Sequence, residues 1–321
     1  LQIVVAASVL TSILSASAFD GRYGSLFVTS AAQTYRVTDW YAGVEVGAID
    51  ADYDYEGGGT TIKSEVNTTT APVIGVISRL PVADVRLFAD YQQDKARHKT
   101  AYARGAVDLV PAIESDVTDD TLGAGFAIPI AGRISLGGRY ERELSVEVEG
   151  DVTSRLTVTR FSPSLAVWAD DMEFSLAYEP PTNVRDGVVG RSRTSPTSVA
   201  ARGEWLGEGW SGGLSLERSD HRSVDDEGRV TLDPGLFAML WDGSGGFFGG
   251  GYSLISGAQA DGYSGATHVF ALELMKAVYE EVFVTAAAVR TATTGKRPIG
   301  GESMRLAGDA SGFSAGVIWK R

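Results

Sequence analysis

Charged residues recur in this chain beside apolar ones at a spacing that limits the chemistry they can do. Arg86 and Asp90 flank Phe88, and Arg139, Glu141 and Glu143 run in step along one stretch. Arg133, Arg160, Glu173, Arg202, Glu204, Glu217 and Glu273 each stand next to an apolar residue. Successive side chains of an extended strand point to opposite faces. These charges therefore gather on one surface and the apolar residues on the other. A surface of mixed charge can line a watery passage and sort solutes by sign, and because acids slightly outnumber bases here, a passage would weakly prefer cations. It can equally brace a wall with ion pairs. Both readings stand at this point.

Other chemistry finds little support. With no cysteine in 321 residues, disulfides, thiolate nucleophiles and cysteine-ligated metals are excluded. His98 and His221 fall in expected loops and His268 near a strand start; the adjacent Asp220 and His221 would point to opposite faces, which is poor geometry for a dyad. Asp50, Asp52 and Asp54 share one strand face. An extended strand does not wrap its ligands round one ion, so a solvated acidic rim is the better reading than a Ca²⁺ site. The glycine runs 57–59 and 245–251 lack the helix and lysine of a phosphate loop. The formal net charge of −13 argues against a nucleic-acid surface. No cofactor, metal or enzymatic activity is expected.

The element that would position the charges is clearest at Thr121–Val148. Leu122, Ala124, Phe126, Ile128 and Ile130 share one face, with Gly123, Gly125 and Ala127 on the other. After a tight turn at Ala131-Gly132, Ile134, Leu136, Tyr140, Leu144 and Val146 alternate with Arg133, Ser135, Arg139, Glu141, Glu143 and Glu147. Soluble hairpins can show such alternation. A long second arm with a densely charged face points instead to a membrane barrel strand, apolar towards lipid and charged towards a wet lumen. An arginine on the lipid face would cost about 2–4 kcal/mol at midplane, so the charges should face inward.

The same plan recurs along the chain. Strands are expected at Trp40–Tyr55, Thr70–Arg79, Val85–Asp94, the opening hairpin, a strand descending through Arg160, Met172–Glu179, Ser195–Leu206 and Trp210–Asp220. They continue at Arg229–Trp241, Phe247–Ser256, Tyr263–Lys276, Val282–Thr291 and Ser311–Trp319. Long connections are expected at Lys95–Asp120, Pro180–Thr194, His221–Gly228 and Ala292–Ala310, alternating with short turns. The fold class is therefore all-β: a transmembrane antiparallel up-and-down barrel of about fourteen strands, with twelve to sixteen possible. Aromatics such as Trp40, Tyr91, Tyr140, Tyr178, Trp205, Trp210, Trp241, Tyr252, Tyr279 and Trp319 fall near strand ends, where interfacial girdles sit.

Residues 1–18 are apolar, uncharged and end in Ala-Ser-Ala, which reads as an export signal cut before Phe19. Residues 19–39 form a periplasmic or barrel-mouth segment and residues 40–321 the barrel. Phe313, Ala315, Val317 and Trp319 alternate up to the chain's last aromatic. This resembles the C-terminal strand of Gram-negative outer-membrane barrels, with the departure that Lys320-Arg321 follow the aromatic. The resemblance implies an outer-membrane location, contact with membrane lipid and lipopolysaccharide, and recognition of the last strand by the barrel insertion machinery. A fourteen-strand count is shared with monomeric porins and long-chain fatty-acid transporters, although the plug typical of the latter looks too short here. The expectation is a porin-like channel for small hydrophilic solutes. The alternatives are a structural or adhesive barrel with a plugged lumen and, behind it, a barrel hydrolase or a transporter of hydrophobic compounds.

Overall fold

The computed structural model describes residues 40–80, 84–105, 107–181, 183–186, 192–194, 197–221, 229–243, 246–258, 264–299 and 302–320. The expected export signal, residues 19–39 and most of the charged loop after His221 lie outside them. The described residues form strands and turns, with no helix among them. In chain order the strands are β1 (Trp40–Gly57), β2 (Thr60–Arg79), β3 (Arg86–Arg104), β4 (Val107–Ala131), β5 (Ile134–Glu149), β6 (Val152–Ala169), β7 (Met172–Glu179) and β8 (Asn183–Asp186). They continue with β9 (Ser192–Thr194), β10 (Thr197–Gly207), β11 (Trp210–His221), β12 (Arg229–Trp241), β13 (Phe247–Ala258), β14 (Ser264–Tyr279), β15 (Val282–Ile299) and β16 (Glu302–Lys320).

Every pairing is antiparallel, and the sheet closes because β1 pairs with β16 while β5 pairs with β6. β7 pairs directly with β10, and the short β8–β9 hairpin is an appendage on β6. The closed ring thus holds fourteen strands, as the alternation predicts. Closure leaves no unpaired edge, the condition that lets a sheet cross hydrocarbon.

The outer surface identifies the solvent it meets. Val46, Ile74, Leu87, Leu122, Leu136, Phe161 and Leu176 are exposed on the first seven ring strands. Val199, Leu214, Leu236, Phe248, Leu272, Val284 and Phe313 continue the belt on the other seven. A continuous apolar band of this extent does not face water in a soluble monomer. It is the lipid-facing belt of a transmembrane barrel. Tyr140, Tyr178, Trp205, Trp210 and Trp319 are also exposed. Trp241, another of the expected girdle aromatics, instead packs inward against a buried apolar cluster that includes Phe247.

The expected long connections are largely strand. β3 runs on to Arg104 and β4 begins at Val107, so most of Lys95–Asp120 is wall. Likewise β15 reaches Ile299 and β16 starts at Glu302. A span needs only about 9–11 tilted residues, and β4 has 25. The surplus projects beyond the belt on the end away from the short turns, the extracellular end in such barrels. There, as β1 shows, the alternation continues and reverses its chemistry. On β1, Val44 and Val46 point out to lipid while Gly43 faces in; further along, Asp50, Asp52 and Asp54 are exposed and Ile49, Ala51, Tyr53 and Tyr55 are buried. Among the described residues the projecting wall is high on β14–β16 and β1–β6, and low on β10–β13, which have 11–13 residues each.

Candidate functional site

Of the charges singled out by sequence, all but Arg133 project to the barrel interior, as their place in the alternation requires. Arg133 stands in the β4–β5 turn, where its guanidinium is 66% exposed and bonds Asp170 of the next turn at 2.9 Å. The turn consumes the residues the strand register would need, so Arg133 is not pore-lining.

The inward charges fall into two tiers. Near the short turns, Arg86, Glu173, Arg202, Glu204 and Glu273 are almost fully buried. Arg202 bonds Glu204 at 3.2 Å and lies 3.9 Å over the Phe237 ring. Glu173 accepts from the Trp168 indole at 2.8 Å, and Arg86 donates to Asp84 at 3.1 Å. This tier sits among buried Phe88, Phe237, Met239, Phe247, Met275 and Phe283. Charges taken from water survive only with partners, so this tier is a braced layer.

The second tier is a chain of ion pairs across β3, β5, β6 and β7. Arg139 donates to Asp90 at 2.8 Å and to Glu141 at 3.4 Å. Arg160 reaches Glu141 at 2.8 Å, Glu143 at 3.2 Å and Glu179 at 3.1 Å. Asp90 and Arg139 belong to β3 and β5, with β4 between them. They meet because the inward residue of β4 at that level is Gly123. A Cβ there would lie 2.5 Å from both Asp90 oxygens and 2.8 Å from Arg139 Nη2. Gly125, one step along, leaves the same room for the Phe88 ring. Glu217, on β11, accepts from Ser198 and Ser219 at 2.8 and 3.1 Å.

Above these tiers the interior changes character from one side to the other. On β16, β1 and β2, Ile49, Tyr53, Tyr55, Ile62, Val66 and Leu306 are buried together on the inner face. On β3–β5 the inner face carries Asp94, His98, Asp119 and Glu147; sequence reading placed Glu147 on the charged face, assigned His98 and Asp119 to a loop and left Asp94 unremarked at a strand end. Asp94 has the parity of Asp90 and Gln92, which was the available signal. Its carboxylate accepts from Thr70 and Gln92, both at 2.5 Å. Burial, with Glu143 adding its negative charge, pushes the Asp94 carboxyl up to about 6. Burial also raises Asp119 and lowers His98. These groups lie beyond the belt, at the level where Lys95, Arg97 and Lys99 face outward.

Of the remaining histidines, His268 faces outward and its Nδ1 is 2.8 Å from the Tyr252 hydroxyl. The His221 side chain lies outside the described residues.

A closed fourteen-strand antiparallel ring with an exposed apolar belt defines the class: the fold is that of Gram-negative outer-membrane β-barrels, and the location that follows is the outer membrane. No family model matches the sequence, and no curated protein does either. Among solved structures, a Pseudomonas aeruginosa FadL homologue superposes with a TM-score of 0.63 at 10% identity, covering 95% of each chain. The deltaS2S3 mutant of the monoaromatic hydrocarbon channel TodX gives 0.67 at 9% identity, covering 92% of this chain and 94% of that one. The Pseudomonas putida toluene transporter TodX gives 0.60 at 10% identity, with 91% and 92% covered. At such identities the likeness is one of fold.

Proposed function

We propose that the barrel is an outer-membrane channel for small, predominantly apolar compounds. The observation that carries this reading is the buried apolar layer on the inner face at the extracellular end, built by Ile49, Tyr53, Tyr55, Ile62, Val66 and Leu306. A pore for hydrophilic solutes would keep water-binding side chains at its entrance. On its β16–β1–β2 side this barrel puts its charges outside at that level, on Asp50, Asp52 and Asp54, and its aromatics inside. Apolar solutes gain by leaving water for such a wall, at about 25 cal/mol per Å² buried. The barrels of similar fold described as a toluene transporter and a monoaromatic hydrocarbon channel support the same solute class. The porin-like reading from sequence therefore yields to the reading that sequence ranked lower.

The test uses porin-deficient Gram-negative cells expressing the full chain, together with purified barrel in liposomes. Expression should speed the uptake of radiolabelled toluene, and the liposomes should not swell in isotonic sugar. Porin-like swelling rates with unchanged toluene uptake would restore the hydrophilic reading.

A further inference from the structure

Beside the apolar layer, the inner wall of β3–β5 carries carboxylates, three of them without countercharges among the described residues. Asp94 on β3 stands directly opposite Asp119 on β4, and Asp119 opposite Ser145 on β5. Glu143 and Glu147 are the inward residues on either side of Ser145. With strands about 4.8 Å apart, the four carboxylates occupy a patch on the order of 10 Å across. Arg160 binds Glu143. Asp94, Asp119 and Glu147 form no ion pair with any described lysine or arginine. Among the described residues no three acids or histidines are gathered closely enough to hold a metal ion.

A second, independent feature points to a missing donor. His98 follows Asp94 on the same face, is only 7% exposed, and its Nδ1 has no hydrogen-bond partner. Asp119 Oδ1 is buried without one as well. Buried acceptors are normally satisfied, and an N–H donor would complete both. His98 also joins the two halves of the wall: it stands opposite Ser115 on one side and opposite Val66 of the apolar layer on the other.

We propose that this wall is a binding site for an amphipathic cation. An ammonium head sits at Asp119, between Asp94 and Glu147, and an aliphatic or aromatic body runs past His98 onto the β16–β1–β2 face. The inference rests on the channel reading for how the ligand arrives, and it makes amines the preferred members of the solute class. An acid of the same shape is repelled by the patch, and a neutral isostere finds only the apolar half.

The experiment titrates the full barrel in detergent with 2-phenylethylamine, 2-phenylethanol and 3-phenylpropionate at pH 8. The amine should bind at least tenfold more tightly than the alcohol, and the acid more weakly than either. In the Asp94→Asn/Asp119→Asn double variant the amine should lose that tenfold while the alcohol is unaffected, with heat-resistant migration on gels confirming the fold. Equal affinities of amine and alcohol for the unmodified barrel would overturn the proposal, and so would a folded double variant that keeps the preference. Cellular uptake of 2-phenylethanol reads the channel separately. Its failure alongside an intact amine preference would remove the passage and leave the site; equal affinities with normal uptake would remove the site and leave the passage.

Discussion

Leu272→Arg is the most direct test of where the hydrocarbon lies. Leu272 is 55% exposed on the outer face of β14, between outward Phe270 and Leu274. Its register partners are Gly250 on β13 and Ala288 on β15, and its Cδ2 lies 2.9 Å from where a Gly250 Cβ would be. The leucine thus fills a flat, lipid-facing patch at the middle of the belt. A guanidinium there has no described acid on the outer face to meet, and at midplane it costs about 2–4 kcal/mol. That is roughly a 30- to 700-fold loss in the folding equilibrium constant. The control is Thr294→Arg, on the outer face of β15 beside Lys296, where the cost near or past the interface is about 0–1 kcal/mol. Urea unfolding from phosphatidylcholine vesicles, followed by tryptophan fluorescence, compares the two. The reasoning fails if the two substitutions destabilise equally, because only a hydrocarbon boundary between residues 272 and 294 separates them.

Three further outcomes follow from the interior. Arg160→Met leaves Glu141, Glu143 and Glu179 without their shared cation; since Arg160 retains some solvent access, the loss should be about 2 kcal/mol, below the 3–5 of a fully buried pair. Adding Glu141→Gln should recover part of it in a double-mutant cycle. Gly123→Ala should separate Asp90 from Arg139, so that Asp90→Asn, costly in the native chain, becomes nearly neutral in that background when urea midpoints are compared. Asp94 and His98 respond to acid in opposite senses. The raised Asp94 favours the folded state as pH falls through about 6, and the lowered His98 disfavours it as pH falls through the ordinary histidine range. Asp94 is faced by Thr70 from β2, Asp119 from β4 and Glu143 from β5, so no base offsets it there. Between pH 7 and 5, Asp94→Asn should make the stability change less favourable than in the native chain and His98→Gln more favourable, as read from urea midpoints.

Where lipid met the outer face, the sequence was legible residue by residue. Leu122 to Ile130 and Ile134 to Leu144 fall on the faces their alternation predicts, and the turns at Asp170-Asp171 and Glu208-Gly209 stand where expected, while the β4–β5 turn falls one residue later than expected, at Gly132-Arg133. The inward charges followed from the same parity. Arg133 did not, because a residue in a tight turn leaves the strand's alternation. The larger gap was Lys95–Asp120. Searching for apolar-out, polar-in strands finds nothing there, since Lys95, Arg97 and Lys99 are the outward residues and His98 an inward one. Read as a loop, the segment concealed Asp119, the centre of the acidic patch, and the one histidine beside it.

That reversal explains why a hydrophilic pore looked reasonable from sequence. A strand's two faces are chemically labelled only relative to their solvents, and this barrel changes solvent partway up each tall strand. Inside the belt, outward means lipid, and most polar residues turn in, with outward Arg142 beside Leu122 and Arg290 beside Phe270 as exceptions; Asp90, Arg139 and Glu141 are inside because the membrane disfavours them on the other face. Beyond the belt, outward means water, and the exclusion lapses. Nothing then obliges Ile49, Tyr53, Tyr55 or Leu306 to point inward, since either face of a projecting wall could be polar. The inward charges of the belt are therefore weak evidence about what passes through, being a consequence of the membrane. The inward apolar residues above it are stronger evidence, because no lipid placed them. Specificity is better sought in the projecting wall, where Val66 and His98 put an apolar surface and an acidic one side by side.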